Sequence, residues 1–96
     1  MTSPADTLDG VWSISRLSGL LPPLLGVRKR IAGSGGRTEI GPLPGVPFDV
    51  VGLSLRYRPP FRGFVDELTP VTPDAYVGRA TVAGRVFGTF RMTRIA

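Results

Sequence analysis

Two carboxylates stand side by side at Asp66 and Glu67, inside the stretch FRGFVDEL, residues 61–68. A pair of acids can divide the roles of general acid and general base. Tyr57 and Tyr76 each add a hydroxyl that could orient a ligand or stabilise a developing oxyanion. The stripe Ser54, Arg56 and Arg58, if it lined a cavity, would hold a carboxylate, phosphate or enolate. The chain has no histidine and no cysteine. Their absence removes the commonest general base, the commonest transition-metal ligand and any thiolate nucleophile. Hydrolase triads and zinc sites are excluded on that ground, and no cofactor or metal is implied. Acid–base chemistry would rest on Asp66, Glu67 or Tyr57, with the arginines and the lone Lys29 in support.

The strand period limits what the two acids can do together. Along an extended chain, Phe64, Asp66 and Leu68 share one face, and Val65 and Glu67 share the other. Asp66 and Glu67 therefore point apart, and one of them is expected to face inward. An inward carboxylate needs a partner, because an unpaired buried charge costs several kcal/mol. Arg79 and Arg91, on the hairpin that follows, are the expected partners. In the plain reading, such an ion pair holds strand register. In the chemical reading, the inward acid works on a ligand in an apolar cavity.

The elements that must position these groups are strands. Thirteen glycines and ten prolines in 96 residues argue against long helices. Between them lie short alternating or β-branched runs. GVWSISRL places Trp12 and Ile14 on one face. RKRI and RTEI follow as strands around the glycine-rich turn GSGG. The segment 46–58 reads as a long strand bent at Gly52, with Leu53, Leu55 and Tyr57 opposite Ser54, Arg56 and Arg58. AYVGRATVAG and RVFGTFRMTRI form a hairpin across Ala83-Gly84. Connections this short exclude helical crossovers. The expected fold is all-β: one domain over residues 1–96, a small antiparallel meander barrel of about seven to eight strands. A half-open sheet completed by a homodimer is the architectural rival. Residues 1–9 are an N-terminal arm or a short helical turn. Gly52, Gly63, Gly78 and Gly88 are expected at sharp bends of the barrel wall. The loop LLPPLL, residues 20–25, is expected to cover an open end as a plug or a lid.

The net charge of +5 comes from eleven arginines and one lysine against seven acids. The arginines are spread along the chain, with one dense cluster at VRKRI, and no RNA-reading aromatic motif accompanies it. Nucleic acid is disfavoured as a partner. No run approaches the roughly 18 apolar residues that span a bilayer. MTSPADTLDG lacks the basic start and apolar stretch of a signal peptide, which leaves the cytoplasm as the expected compartment.

Gly10-Val11-Trp12 has the form Gly-x-Trp at the head of the first strand, and Arg91 or Arg94 lies on the last. This arrangement resembles lipocalin-like (calycin) barrels, in which the first-strand Trp closes one barrel end under an Arg of the final strand. TPDAYVG, residues 72–78, is similar to a displaced form of the second lipocalin signature. GVWSISRLSG, LPPLLGVRKRI, LSLRYRPPFRGFVDELTPV and AYVGRATVAGRVFGTFRM also resemble small bacterial domains that begin with Gly-x-Trp-x-Gly. Here Ser13-Ile14 replaces the tail of that motif, and Val27-Arg28-Lys29 stands where those domains carry a Gly-Lys pair. The resemblance implies a calycin-like barrel, a structural role for Trp12 and Arg94, and no catalytic residues.

Three functions fit these expectations. The first is a barrel that binds a small hydrophobic or amphipathic molecule, with Tyr57, Arg79, Arg91, Phe64 and Leu24 as ligand contacts. The second is a cofactor-free cyclase or isomerase acting on a largely apolar substrate in the same barrel. The third is an interaction protein that forms a homodimer around a filled core.

Overall fold

Strict alternation organises the chain. In VRKRIA, residues 27–32, Val27, Lys29 and Ile31 are buried while Arg28, Arg30 and Ala32 are exposed. This segment is one of eight strands in a computed structural model that describes residues 8–21 and 26–96. They are β1 (Gly10–Gly19), β2 (Val27–Ala32), β3 (Gly35–Ile40), β4 (Val46–Val51), β5 (Ser54–Tyr57), β6 (Phe64–Thr72), β7 (Ala75–Val82) and β8 (Arg85–Arg94). Each pairs antiparallel with the next, and β8 returns to β1, so the sheet closes into a barrel within one chain. Closure leaves no strand edge unpaired.

The segment 46–58 is not one bent strand but a hairpin. Val51 pairs with Ser54, and the chain reverses through Gly52 and Leu53. Gly52 sits at φ +62°, a left-handed conformation that costs glycine little and makes the tight reversal possible. The facing assignments survive this change: Leu55 and Tyr57 point inward and Arg56 outward. The β7–β8 turn falls at Ala83-Gly84, both with positive φ.

The two barrel ends are built differently. At one end lie the β2–β3, β4–β5 and β6–β7 turns and the first residues of β1. Trp12 fills this end and is fully buried, with Tyr76 packed edge-on to it at 5.4 Å between ring centroids. The indole Nε1 donates to the Leu8 carbonyl at 2.8 Å. The Arg94 guanidinium lies 4.2 Å from the indole centroid on the outer side, and its Nε donates to Asp74 at 2.8 Å. Such stacking is worth about 0.5–2 kcal/mol. Below this plug, Phe48, Leu55 and Met92 are fully buried. At the other end the β3–β4 and β5–β6 loops surround an opening, with Ile40, Phe61 and Phe64 partly exposed around it.

Glycine makes room inside the wall. A Cβ on Gly78 would lie 2.2 Å from the Phe90 ring, and one on Gly36 would lie 2.8 Å from the Phe48 ring. Gly78 is therefore not a corner but the floor on which Phe90 rests, opposite it in register across β7 and β8. Gly63, at φ +101°, belongs to the loop before β6 rather than to a strand. Replacing Gly78 by Ala overpacks this contact and is expected to lower stability by about 1–3 kcal/mol. Adding Phe90→Leu should recover part of the loss. Urea denaturation of the two single variants and the double variant measures that coupling.

Candidate functional site

Lys29 projects from the middle of β2 into the barrel and is 3% exposed. An ammonium in an apolar interior requires partners on every proton. Thr38, its direct neighbour in register on β3, accepts one at 2.7 Å. The Tyr57 hydroxyl on β5 accepts the second at 2.7 Å. Asp66 on β6 forms an ion pair with the ammonium through Oδ2, at 3.1 Å. The oxygens are also joined to one another. Thr38 Oγ1 and Tyr57 OH are 2.7 Å apart, and Tyr57 OH donates to Asp66 Oδ2 at 3.0 Å. The rings of Phe48 and Phe90 each stand 5.5 Å from the ammonium, adding cation–π attraction. Four strands thus meet in one polar cluster.

The cluster forms one pole of a cavity of about 270 Å³. Its wall is otherwise apolar: Ile14, Ala80 and Phe90 deep inside, and Leu21, Val27, Ile40, Val46, Phe61, Phe64 and Phe87 toward the open end. Lys29, Thr38, Tyr57 and Asp66 are the polar side chains that line it among the described residues. The volume lies just under the roughly 300–1,000 Å³ of drug-sized sites, so it suits a small molecule. An eight-stranded barrel has room for packed side chains or one small ligand. This one divides its interior between the two, with packed core toward Trp12 and cavity toward the opening.

Proton affinities follow from the geometry. Burial works against the Lys29 ammonium, but the Asp66 carboxylate and the Tyr57 hydroxyl outweigh it, and the lysine is held above its ordinary value of 10.5. Burial also pushes Tyr57 above its ordinary value of 10.0; Lys29 opposes that rise and Asp66 adds to it. Near neutral pH the cluster holds a charged lysine and a protonated tyrosine.

The residues singled out in the sequence divide between the two faces of the wall. Asp66 is the inward carboxylate, at 6% exposure, and Tyr57 stands beside it. Phe64 lines the cavity near the opening. Glu67 points outward and meets Arg79 at 2.9 Å in an exposed pair, the kind that contributes little to stability. Arg79 and Arg91 lie on the outer surface and neither lines the cavity. The inward acid therefore meets a lysine, not an arginine of the β7–β8 hairpin, because outward registers on β7 and β8 carry those arginines past the lumen. Arg56 is exposed and Arg58 pairs with Asp49 at 2.7 Å, also outside. Tyr76 belongs to the plug, as do Trp12 and Arg94. Leu24 and most of the LLPPLL loop lie outside the described residues, as do residues 1–7 of the N-terminal arm. Lys29 and Thr38 are the site residues the carboxylate-first reading overlooked. The signal was present: the only lysine of the chain falls between Val27 and Ile31 on one strand face.

Lys29→Met alone leaves Asp66 buried without its cation and is expected to cost about 3–5 kcal/mol. Lys29→Met combined with Asp66→Leu should regain most of that, because two apolar groups need no partners. Chemical denaturation of the single and double variants checks the coupling. The pH dependence has a definite sign. Lys29 and Tyr57 both bind their proton more tightly in the folded chain, so their contribution is fully present below the ordinary values of 10.5 and 10.0. It is lost as pH rises through the raised folded values. Stability should therefore fall in alkali more steeply for the native chain than for Lys29→Met/Asp66→Leu/Tyr57→Phe, as denaturant titrations across that range would record.

Comparison with known proteins adds no relative to this geometry: no family model, no curated protein and no solved structure matches the chain.

Proposed function

We propose that the barrel binds a small, largely apolar molecule, with its polar end against the Lys29–Thr38–Tyr57–Asp66 cluster. One observation carries this reading: an apolar cavity of about 270 Å³ that has all its polar lining at a single pole. Apolar walls supply burial at about 25 cal/mol per Å² of ligand surface removed from water, and a few fixed polar groups supply orientation. Phe61 and Phe64, 45% and 37% exposed, place aromatic surface at the opening, where an apolar molecule would first make contact. The Trp12–Arg94 stack that seals the far end supports a calycin-like reading of the barrel. Among the described residues that seal closes one end and leaves the cavity open at the other, which supports the binding reading over a barrel filled throughout.

The cyclase or isomerase reading uses the same cavity. It would draw on Asp66 and Tyr57, which reach the wall together. Tyr57 holds its proton tightly and directs it at Asp66, so its hydroxyl is a poor acid toward a bound molecule. Binding requires no such transfer.

An uncharged naphthalene fluorophore should bind one molecule per chain with a rise in emission. Ala80 is buried at the cavity wall, and Ala80→Leu fills space there. That variant should weaken binding by about tenfold, about 1.4 kcal/mol, while its far-UV circular dichroism stays that of the native barrel. Equal affinity in the two proteins would place the fluorophore elsewhere and remove the support for the cavity.

A further inference from the structure

The hydroxyl protons of the polar cluster can be assigned one by one. Lys29 donates to Thr38 and Tyr57, and its charge is paired with Asp66 Oδ2 at 3.1 Å. Tyr57 has one proton, and it goes to Asp66 Oδ2. The remaining short contact, between Thr38 Oγ1 and Tyr57 OH, is then the Thr38 hydroxyl donating to tyrosine. Both hydroxyl donors are committed inside the cluster, and the ammonium charge is met by Asp66. Acceptor capacity is not exhausted. Both contacts to Asp66 fall on Oδ2, and Oδ1 accepts no hydrogen bond among the described residues. No fully buried side-chain oxygen or nitrogen lacks a partner there. Oδ1 is therefore not sealed off: the Asp66 side chain keeps 9% of its surface accessible, and the residue lines the cavity.

We infer that the ligand carries an uncharged hydroxyl at one end of an apolar body, and that this hydroxyl donates to Asp66 Oδ1. This rests on the binding reading above and names the ligand class for the same cavity. A carboxylate or phosphate would meet a carboxylate oxygen of like charge, and the Lys29 charge that could offset it is already paired with Asp66. A ketone, ether or ester offers only acceptors to the same oxygen. An ammonium would enter beside Lys29, whose charge already neutralises Asp66 at 3.1 Å, and like charges at such range repel. An alcohol or phenol satisfies the one open acceptor and adds no charge.

Displacement of the naphthalene fluorophore by a chain-matched series tests this: octanol, methyl heptyl ether and octanoate, at neutral pH and with native mass spectrometry as a second readout. Octanol should bind at least about tenfold more tightly than the ether or the carboxylate, the effect of one buried hydrogen bond made or left unmade. In Lys29→Met/Asp66→Leu, carried forward once its far-UV circular dichroism matches the native barrel, octanol and the ether should bind alike. Ether or octanoate binding as tightly as octanol to the native chain would overturn the hydroxyl assignment and leave an apolar binding cavity standing. Failure of all three to bind by either readout would overturn both.

Discussion

A single ammonium inside the barrel constrains everything around it. Lys29 cannot be buried unless its three protons find oxygen, and the hydrophobic residues that make up the rest of the interior have none to give. The oxygens come from β3, β5 and β6, so the lysine of β2 reaches across the lumen as well as to its neighbour. Strand pairing alone would tolerate many cross-sections. A bar of hydrogen bonds spanning the lumen fixes one, because every member needs its own distance to several others.

That bar also divides the interior. On its closed side, Trp12, Phe48, Leu55 and Met92 pack without accessible surface. Gly78 and Gly36 matter here, since a side chain at either place would displace the Phe90 or Phe48 ring that flanks the ammonium. On its open side the wall is lined by Val27, Ile40, Val46 and Phe64 from successive inward positions of their strands. Among the described residues these side chains face the cavity rather than a packed layer. The cavity is thus a consequence of where the lysine falls along β2, one pleat in from Val27 at the open end.

The barrel itself was legible in the sequence because its determinants are local. Alternation in VRKRIA, the Ala83-Gly84 reversal and short connections each point to antiparallel neighbours, while closure against a half-open sheet is decided by the pairing of β8 with β1. The Trp12–Arg94 stack was legible too, as a first-strand Trp and a last-strand Arg. What the sequence left open was non-local. The period of β6 separates Asp66 from Glu67 but does not say which faces inward, since Phe64 and Leu68 on one side and Val65 on the other are all apolar. Closure decides it, by placing Asp66 opposite Leu55 and Ala80. The partner was missed for a related reason. Arg79 is adjacent to β6 in sequence order and pairs with Glu67, whereas Lys29 is adjacent to β6 only across the lumen. The segment 46–58 misled because a glycine within an apolar run fits a bend and a reversal equally well until pairing partners are known.

Stability does not account for the buried ion pair. A methionine and a leucine of similar volume in its place should recover most of the stability, since the desolvation of two charges offsets much of their attraction. Nor is a polar core needed for closure, which backbone pairing and the Trp12 plug already supply. The arrangement of the carboxylate is the informative detail. A purely structural pair is best served by using both oxygens of Asp66, one for the ammonium and one for the tyrosine. Here both contacts crowd onto Oδ2, and Oδ1 is left toward the cavity. The holding function needs one oxygen and leaves the other available to a guest. The same four residues can then serve as keystone of the wall and as recognition group of the cavity, and substitutions that separate the two roles must act on Asp66 rather than on the surface arginines.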